Sequence, residues 1–473
     1  MKLSRFVALS LMTAAVFPFV TSCSSDPNPF DITISSEKTA ITTIQLRLGI
    51  EETRAGELST SAEKEIKKVT VLVFNEKEEL EINKSVAVAA GTNTVNLEVS
   101  NGLKTIYVVA ARSNVNPAVG TSITNYENSV FISSLANLNT SDGFVMIGKS
   151  SEQQVMIAAS EDELPASNIF EIKLVRLIAK AQVKSAGIDG SSFGINFGDA
   201  SFKACQLSER MRVLHNGSDV FESFVDGNNN GTYDYYSLRE TANYTNAVSS
   251  DFTADGCEYM SENIVQKPVS GNTTFLSIRY ATTPVKYYTF DSATSSVKTL
   301  DETPTPSTTY YAVAIQDKTN GVVDYALDNA TKHIIAFKTQ EDANRYMNSL
   351  NNGDSSTITV SQTDSPLRAG SVITEADNVA QFEVITFNDG YAYYRVNIAH
   401  QETSGDSDKS TIKVMRNKFY KVNIKSVKSL GFGSEALLRP SNPAAVLDAE
   451  GHSWISASIS IADWDEVNQN VDL

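Results

Sequence analysis

The feature that most constrains this chain is its punctuation. Short runs of alternating apolar and polar residues recur, each closed by Gly, Asn, Asp, Ser or Pro. The run Ile41-Thr42-Thr43-Ile44-Gln45-Leu46-Arg47-Leu48-Gly49-Ile50 puts Ile44, Leu46, Leu48 and Ile50 on one face, the period-two signature of a half-buried strand. Val69 to Phe74 and Thr105 to Ala111 are nearly continuous apolar runs, suited to central strands. Comparable segments follow at Thr274 to Tyr280, Tyr310 to Ile315, Tyr391 to Ile398 and Phe419 to Ile424. Ile172 to Val183 admits a helix by composition, but its β-branched residues and its neighbours favour strand. This spacing of strands and polar turns predicts an all-β chain built from β-sandwich domains. Residues 335–352, with Ala336, Phe337, Ala343 and Tyr346 among charged residues, predict one helix as a surface insertion. No internal repeat of roughly 20–50 residues appears, which disfavours solenoids and propellers.

Length and charge narrow the class further. The 473 residues imply two or three domains at about 100–200 residues each. Lys+Arg 39 against Asp+Glu 56 leaves a net charge of −17, unsuited to nucleic acid or to an anionic lipid surface. Four His and three Cys leave little material for a multi-ligand metal site, and no cofactor is expected.

The amino terminus points outside the cytoplasm. Lys2 and Arg5 precede an apolar stretch from Phe6 to Val20, broken by Ser10, Thr13 and Pro18. It is too short and too broken to span a bilayer, which needs about 20 apolar residues, and reads as a signal peptide. It ends in Val20-Thr21-Ser22-Cys23, which fits the lipobox at which a bacterial lipoprotein is cut and its cysteine acylated. The alternative is an ordinary secretory signal with an incidental cysteine. Ser24-Ser25-Asp26-Pro27-Asn28-Pro29 then reads as a tether. Cys205 and Cys257 could pair in an oxidising envelope or stay as two thiols, and spacing does not choose.

Catalytic-looking patterns are weak. Gly143-Phe144-Val145-Met146-Ile147-Gly148-Lys149-Ser150 satisfies the P-loop expression, but its bulky apolar middle suits a strand, so the match is accidental. Asp226 to Asp234 has oxygen ligands at positions resembling a calcium loop, yet Ser237 stands where a bidentate Glu belongs, and Asn-Gly runs also build turns. Ser61-x-x-Lys64 matches a short motif that recurs by chance in a Ser-rich chain. His215, His333, His400 and His452 form no recognisable constellation. No catalytic residue and no metal site is assigned.

The informative features lie at the two ends. The alternating strand of residues 41–50 runs into Glu51-Glu52-Thr53-Arg54-Ala55-Gly56, a polar stretch that offers Arg54 to a trypsin-like protease. Arg47 is a rival site, but it lies within the strand. At the far end, Ile455, Ala457, Ile459 and Ile461 alternate with serines, and Trp464, Val467, Val471 and Leu473 follow, so the segment is either a donor strand for another copy or the final strand of its own sandwich. A strand that can be cut away at the front and a spare apolar strand at the back suit exchange between copies, because a vacated groove is a template for another chain.

With these residues in hand, the chain resembles the fimbrillins, the fimbrial subunits or type V pilins of Bacteroidales. The resemblance rests on the lipobox, Thr53-Arg54-Ala55, Leu174-x-Arg176-x-x-Ala179-Lys180, Glu262-Asn263, Tyr393-Tyr394-Arg395-x-x-Ile398-x-His400, Arg416-Asn417-x-x-Tyr420 and Trp464. It implies two transthyretin-like β-sandwich domains, here at about 55–185 and 186–473, behind a signal peptide at 1–22 and a propeptide at 23–54. It implies an outer-membrane lipoprotein precursor acylated (palmitate) at Cys23 and cut between Arg54 and Ala55 by a gingipain-like or other trypsin-like protease. The strand of Ile44, Leu46, Leu48 and Ile50 would then leave. A donor segment at about 454–473, led by Ile455, Ala457, Ile459, Ile461 and Trp464, would join one copy to the next. The implied partners are other copies of the chain and accessory fimbrial subunits, in a surface fimbrium serving adhesion and biofilm formation. His400 and Arg416-Asn417 read as structural. A tip adhesin or a surface glycan-binding lipoprotein is the alternative from another class.

Overall fold

The computed structural model describes residues 40–50, 59–112, 117–132, 135–160, 164–208, 210–212, 214, 238–239, 241, 243–264, 271–317, 321–352, 379–401, 410–439 and 455–463. Strands dominate these residues, as the alternating pattern predicts. Five open the fold: β1 (Ile41–Ile50), β2 (Lys68–Phe74), β3 (Leu80–Ala87), β4 (Thr94–Ser100) and β5 (Gly102–Ala110). They belong to one eight-stranded sheet, ordered β3-β2-β5, then Met146–Lys149, Ile169–Arg176, β1 and β4, with Val155–Ile157 also pairing with β5. β2 is buried on both faces from Val69 to Phe74, so its run is apolar at every position but Thr70 rather than alternating. The β2–β3 turn is closed by the Asn75 side chain, whose Oδ1 accepts the Lys77 and Glu79 backbone N–H groups at 2.9 and 3.1 Å.

The P-loop-like stretch lies in strands, Gly143–Phe144 and Met146–Lys149. Its glycines have structural uses. Gly143 adopts φ 111°, and a Cβ at Gly148 would collide with the Lys173 carbonyl of the neighbouring strand.

The run from Ile172 to Val183 is strand, but it serves two sheets. Ile169–Arg176 pairs with β1, whereas Ile178–Ser185 joins a second sheet ordered Glu258–Ser261, Ile178–Ser185, Lys418–Val427 and Ile455–Asp463. Between them Leu177 is buried and its N–H bonds the Val145 carbonyl at 2.9 Å. The cores divide at the same place: Leu177 and Ile178 pack with the first cluster, Ala179, Ala181 and Val183 with the second. The Ile178–Ser185 strand, which lies before the expected boundary at residue 185, is therefore hydrogen-bonded into the second sheet and, from Ala179 onward, packed in the second core.

A third sheet, ordered Thr245–Asn246, Ile195–Cys205, Phe275–Pro284 and Tyr391–Asn397, shares the second core through Phe202, Ile278 and Tyr394, while the second sheet contributes Val422 and Ile424. Two sheets around one core make a β-sandwich. The predicted helix is present as Gln340–Asn351. Thr339 caps it by accepting the Asp342 N–H at 3.2 Å, and Ala343, Tyr346 and Leu350 pack with Phe290 and Phe337.

Candidate functional site

The front strand β1 sits inside its sheet rather than at the rim. On one side it runs parallel to Ile169–Arg176, with Leu46 beside Phe170 and Leu48 beside Ile172. On the other it is antiparallel to β4, with Ile44 beside Leu97 and Leu46 beside Val95. Ile44 and Leu46 are fully buried and Leu48 is 4% exposed, while Ile50 is half-buried. Burying the first three contributes roughly 1.5–3 kcal/mol each. Arg47 points outward, with its side chain 51% exposed beside Glu171. Removing this strand would strip two ladders and expose an apolar floor. The arrangement is that of a slot between β4 and Ile169–Arg176 filled by the chain's own front strand.

The back strand Ile455–Asp463 ends the second sheet. It pairs antiparallel with Lys418–Val427 of the same chain, with Ile459 opposite Val422 and Ile461 opposite Tyr420. Its other side has no strand neighbour among the described residues. The two strands singled out by sequence thus lie in different sheets. Cys23, Arg54, Ala55, Trp464 and the Asp226 to Asp234 stretch fall outside the described residues.

Between the predicted cut and β2, the chain is pinned by a buried charge. A short 3-10 turn, Ala62–Lys64, follows Thr60, whose N–H bonds Glu63 Oε2 at 2.7 Å while its Oγ1 accepts the Glu63 N–H at 3.3 Å. The Glu63 carboxylate turns inward and is fully buried. Lys180 Nζ, also fully buried, donates to both its oxygens at 3.0 Å, and Tyr259 Oη donates to Oε1 at 2.9 Å. Arg176 Nε bonds the Glu63 carbonyl at 3.2 Å. Burial pushes the Lys180 ammonium down, and the Glu63 carboxylate opposes that shift. Lys180 lies on Ile178–Ser185 and Arg176 on Ile169–Arg176, so the turn is tied to both strands of the split run.

The other motif residues behave likewise. Arg416 Nε bonds Glu262 Oε1 at 3.0 Å in a buried ion pair. Asn263 Nδ2 bonds the Asn272 carbonyl and Thr274 Oγ1, and Asn417 takes φ 55° with its N–H on the Ile178 carbonyl at 2.9 Å. Glu63 is the member that sequence reasoning missed; its only local signal was the Thr60-x-x-Glu63 capping box.

Cys205 and Cys257 are free thiols, and burial pushes each up to about 12. Among the described residues no group of His, Cys, Asp and Glu could hold a metal ion, and no helix is long and apolar enough to cross a membrane.

These features sit in regions with family counterparts. The profile described as Major fimbrial subunit protein (FimA) matches residues 42–191, which begin within β1. The profile described as Major fimbrial subunit protein type IV, Fimbrillin, C-terminal matches residues 385–470, which contain the back strand. Two separate stretches of the chain, one at its front and one at its back, are thus similar to models of fimbrial subunit proteins. Among solved structures, a fimbrilin (FimA) from Porphyromonas gingivalis W83 is 15% identical, with 90% of this chain and 98% of that one covered and a TM-score of 0.45. The tip fimbrial protein Mfa3 from Porphyromonas gingivalis, with a C-terminal truncation, is 14% identical, with 90% of this chain and 100% of that one covered and a TM-score of 0.40. No curated protein matches the chain.

Proposed function

We propose that this chain is a non-enzymatic structural subunit of a surface fimbrium. It is exported as an outer-membrane lipoprotein through Cys23 and cut after Arg54, then polymerises by strand replacement to support adhesion and biofilm formation. In this reading β1 fills the slot until a trypsin-like protease separates it from the rest of the chain. The back strand of another copy, led by Ile455, Ala457, Ile459 and Ile461, then takes the slot. Its own sheet holds it along one edge only, so leaving costs one ladder, whereas entering the slot forms two. The two-sandwich organisation belongs to the same proposal, with the division nearer residue 178 than residue 185.

The observation that carries the reading is the position of β1: an apolar strand, inside its sheet, joined to the body through the segment that contains Arg54. The Glu63 pin supports it, because the chain beyond the cut stays fixed when the front strand departs. Arg54→Ala should leave a longer form on the cell that stays monomeric on gels run without boiling. Normal polymers built from uncut Arg54→Ala subunits would refute the scheme. The mature amino terminus, read by mass spectrometry, should be Ala55.

A further inference from the structure

The slot contains one polar contact that hydrophobic filling does not explain. The buried face of β1 reads Thr42, Ile44, Leu46, Leu48, and Thr42 is only 3% exposed. Facing it is Asn168, fully buried at the end of the 3-10 turn that leads into Ile169–Arg176. Its Oδ1 accepts the Ala158 N–H at 2.9 Å, and its Nδ2 donates to the Ala158 carbonyl at 3.0 Å. The same Nδ2 reaches Thr42 Oγ1 at 3.3 Å and the Thr43 carbonyl at 3.4 Å. The carboxamide is held in place by Ala158, with one donor turned toward β1.

Strand alternation has a period of two, so a slip by one residue puts polar side chains in the core and is rejected outright. A slip by two keeps apolar residues inward, and alternation alone does not reject it. Asn168 does, because such a slip brings an apolar side chain against a buried amide that then loses its hydroxyl acceptor and keeps backbone carbonyls alone. We propose that Asn168 is a register-setting residue that selects a strand bearing a hydroxyl at the position Thr42 fills. This deepens the strand-replacement reading and rests on it for the identity of the incoming chain. In that chain Ser453-x-Ile455-x-Ala457-x-Ile459-x-Ile461 repeats the inward pattern Thr42-x-Ile44-x-Leu46-x-Leu48-x-Ile50, one hydroxyl followed by four apolar residues. Ser453 is the residue that would meet Asn168 when the back strand of another copy runs in the direction of β1.

Two measurements test this. In the uncut full chain, Thr42→Val and Asn168→Leu should each lower stability toward urea and should be strongly non-additive when combined, with Thr42→Ser close to the parent. Additive effects would overturn the contact's role. In the full chain cut after Arg54, a fluorescent synthetic peptide of residues 450–463 should bind about five- to tenfold more tightly than its Ser453→Val variant. On Asn168→Leu protein the two peptides should bind within about twofold of each other, as expected for one buried hydrogen bond. Equal binding of both peptides to the parent protein would overturn selection by Asn168. Absence of binding by either, with the non-additivity intact, would overturn strand replacement and confine Asn168 to setting the register of β1.

Discussion

Lys180 donates to both carboxylate oxygens of Glu63 at 3.0 Å, although 117 positions separate the two and neither side chain reaches solvent. A buried pair of this kind fixes geometry more than it adds stability, since desolvation offsets much of the attraction. What it fixes is the first turn after the predicted cut, against a strand of the second sheet.

Removing one partner should therefore be far worse than removing both. Glu63→Gln leaves a buried ammonium facing a neutral amide and should cost about 3–5 kcal/mol. The double variant Glu63→Leu with Lys180→Met should recover most of that loss. Urea unfolding of the three proteins checks this, and a double variant as unstable as Glu63→Gln would argue against the pin.

Leu46 is fully buried in the slot, so Leu46→Ala in the uncut chain should cost about 2–5 kcal/mol. Once residues 23–54 have been cut off and separated, parent and variant are the same molecule and should unfold together. A persistent difference between the separated bodies would mean that β1 had never left.

At the other end, Ile459→Asp puts a charge on the face of the back strand that bears Ile455 and Ile461. The subunit should still fold, because this strand ends its sheet, with a melting temperature lowered by no more than a few degrees. Polymer ladders should disappear. Ladders at parental levels would remove the back strand from the assembly scheme.

Acid should weaken the fold through Glu81. Burial alone would raise its pKa, but the hydrogen bonds from Lys104 and Ser100 outweigh burial and hold it below 4.5. A carboxyl with a depressed folded pKa contributes stability above its unfolded value and loses it as pH falls through the folded value. Glu81→Gln should thus cost about 1 kcal/mol at pH near 7 and less at pH near 3. Denaturant titrations at the two pH values give the comparison; a difference that grows on acidification would be the wrong sign.

The thiols give a test of burial in solution. With Cys23→Ser, only Cys205 and Cys257 remain, both pushed up to about 12. A thiolate-directed reagent at pH near 8 should label them at least tenfold more slowly in the folded protein than in denaturant. Rapid stoichiometric labelling of the native chain would contradict the description of both sites.

Period-two alternation made β1 legible, because a half-buried strand must put Ile44, Leu46 and Leu48 on one side. The helix at Gln340–Asn351 was legible for the matching reason, through Ala343 and Tyr346, whereas Ala336 and Phe337, read as part of it, form a short strand before it. Two things were hidden. The run around Leu177 reads as one strand, since nothing local announces that Arg176 and Ile178 belong to different sheets. Glu63 was hidden too: next to Lys64 it looks like an ordinary surface acid, and its burial is decided by Lys180 and Tyr259, more than a hundred positions away. Long-range pairs of this kind leave no period in the sequence. Asn168 was invisible on the same grounds, as its partners Thr42 and Ala158 arrive from separate segments.

Among the described residues, β4 forms its ladder with β1 alone. In the proposed scheme this makes timing a constraint on growth. From the departure of β1 until another strand arrives, β4 is tethered through Asn101 but has no sheet neighbour, and Val95, Leu97 and Val99 lose their cover. That interval is when the subunit is most exposed to clumping and to further digestion. A cell that cuts precursors faster than it can dock them would destroy its own supply, so the rate of proteolysis has to stay matched to the rate of filament extension.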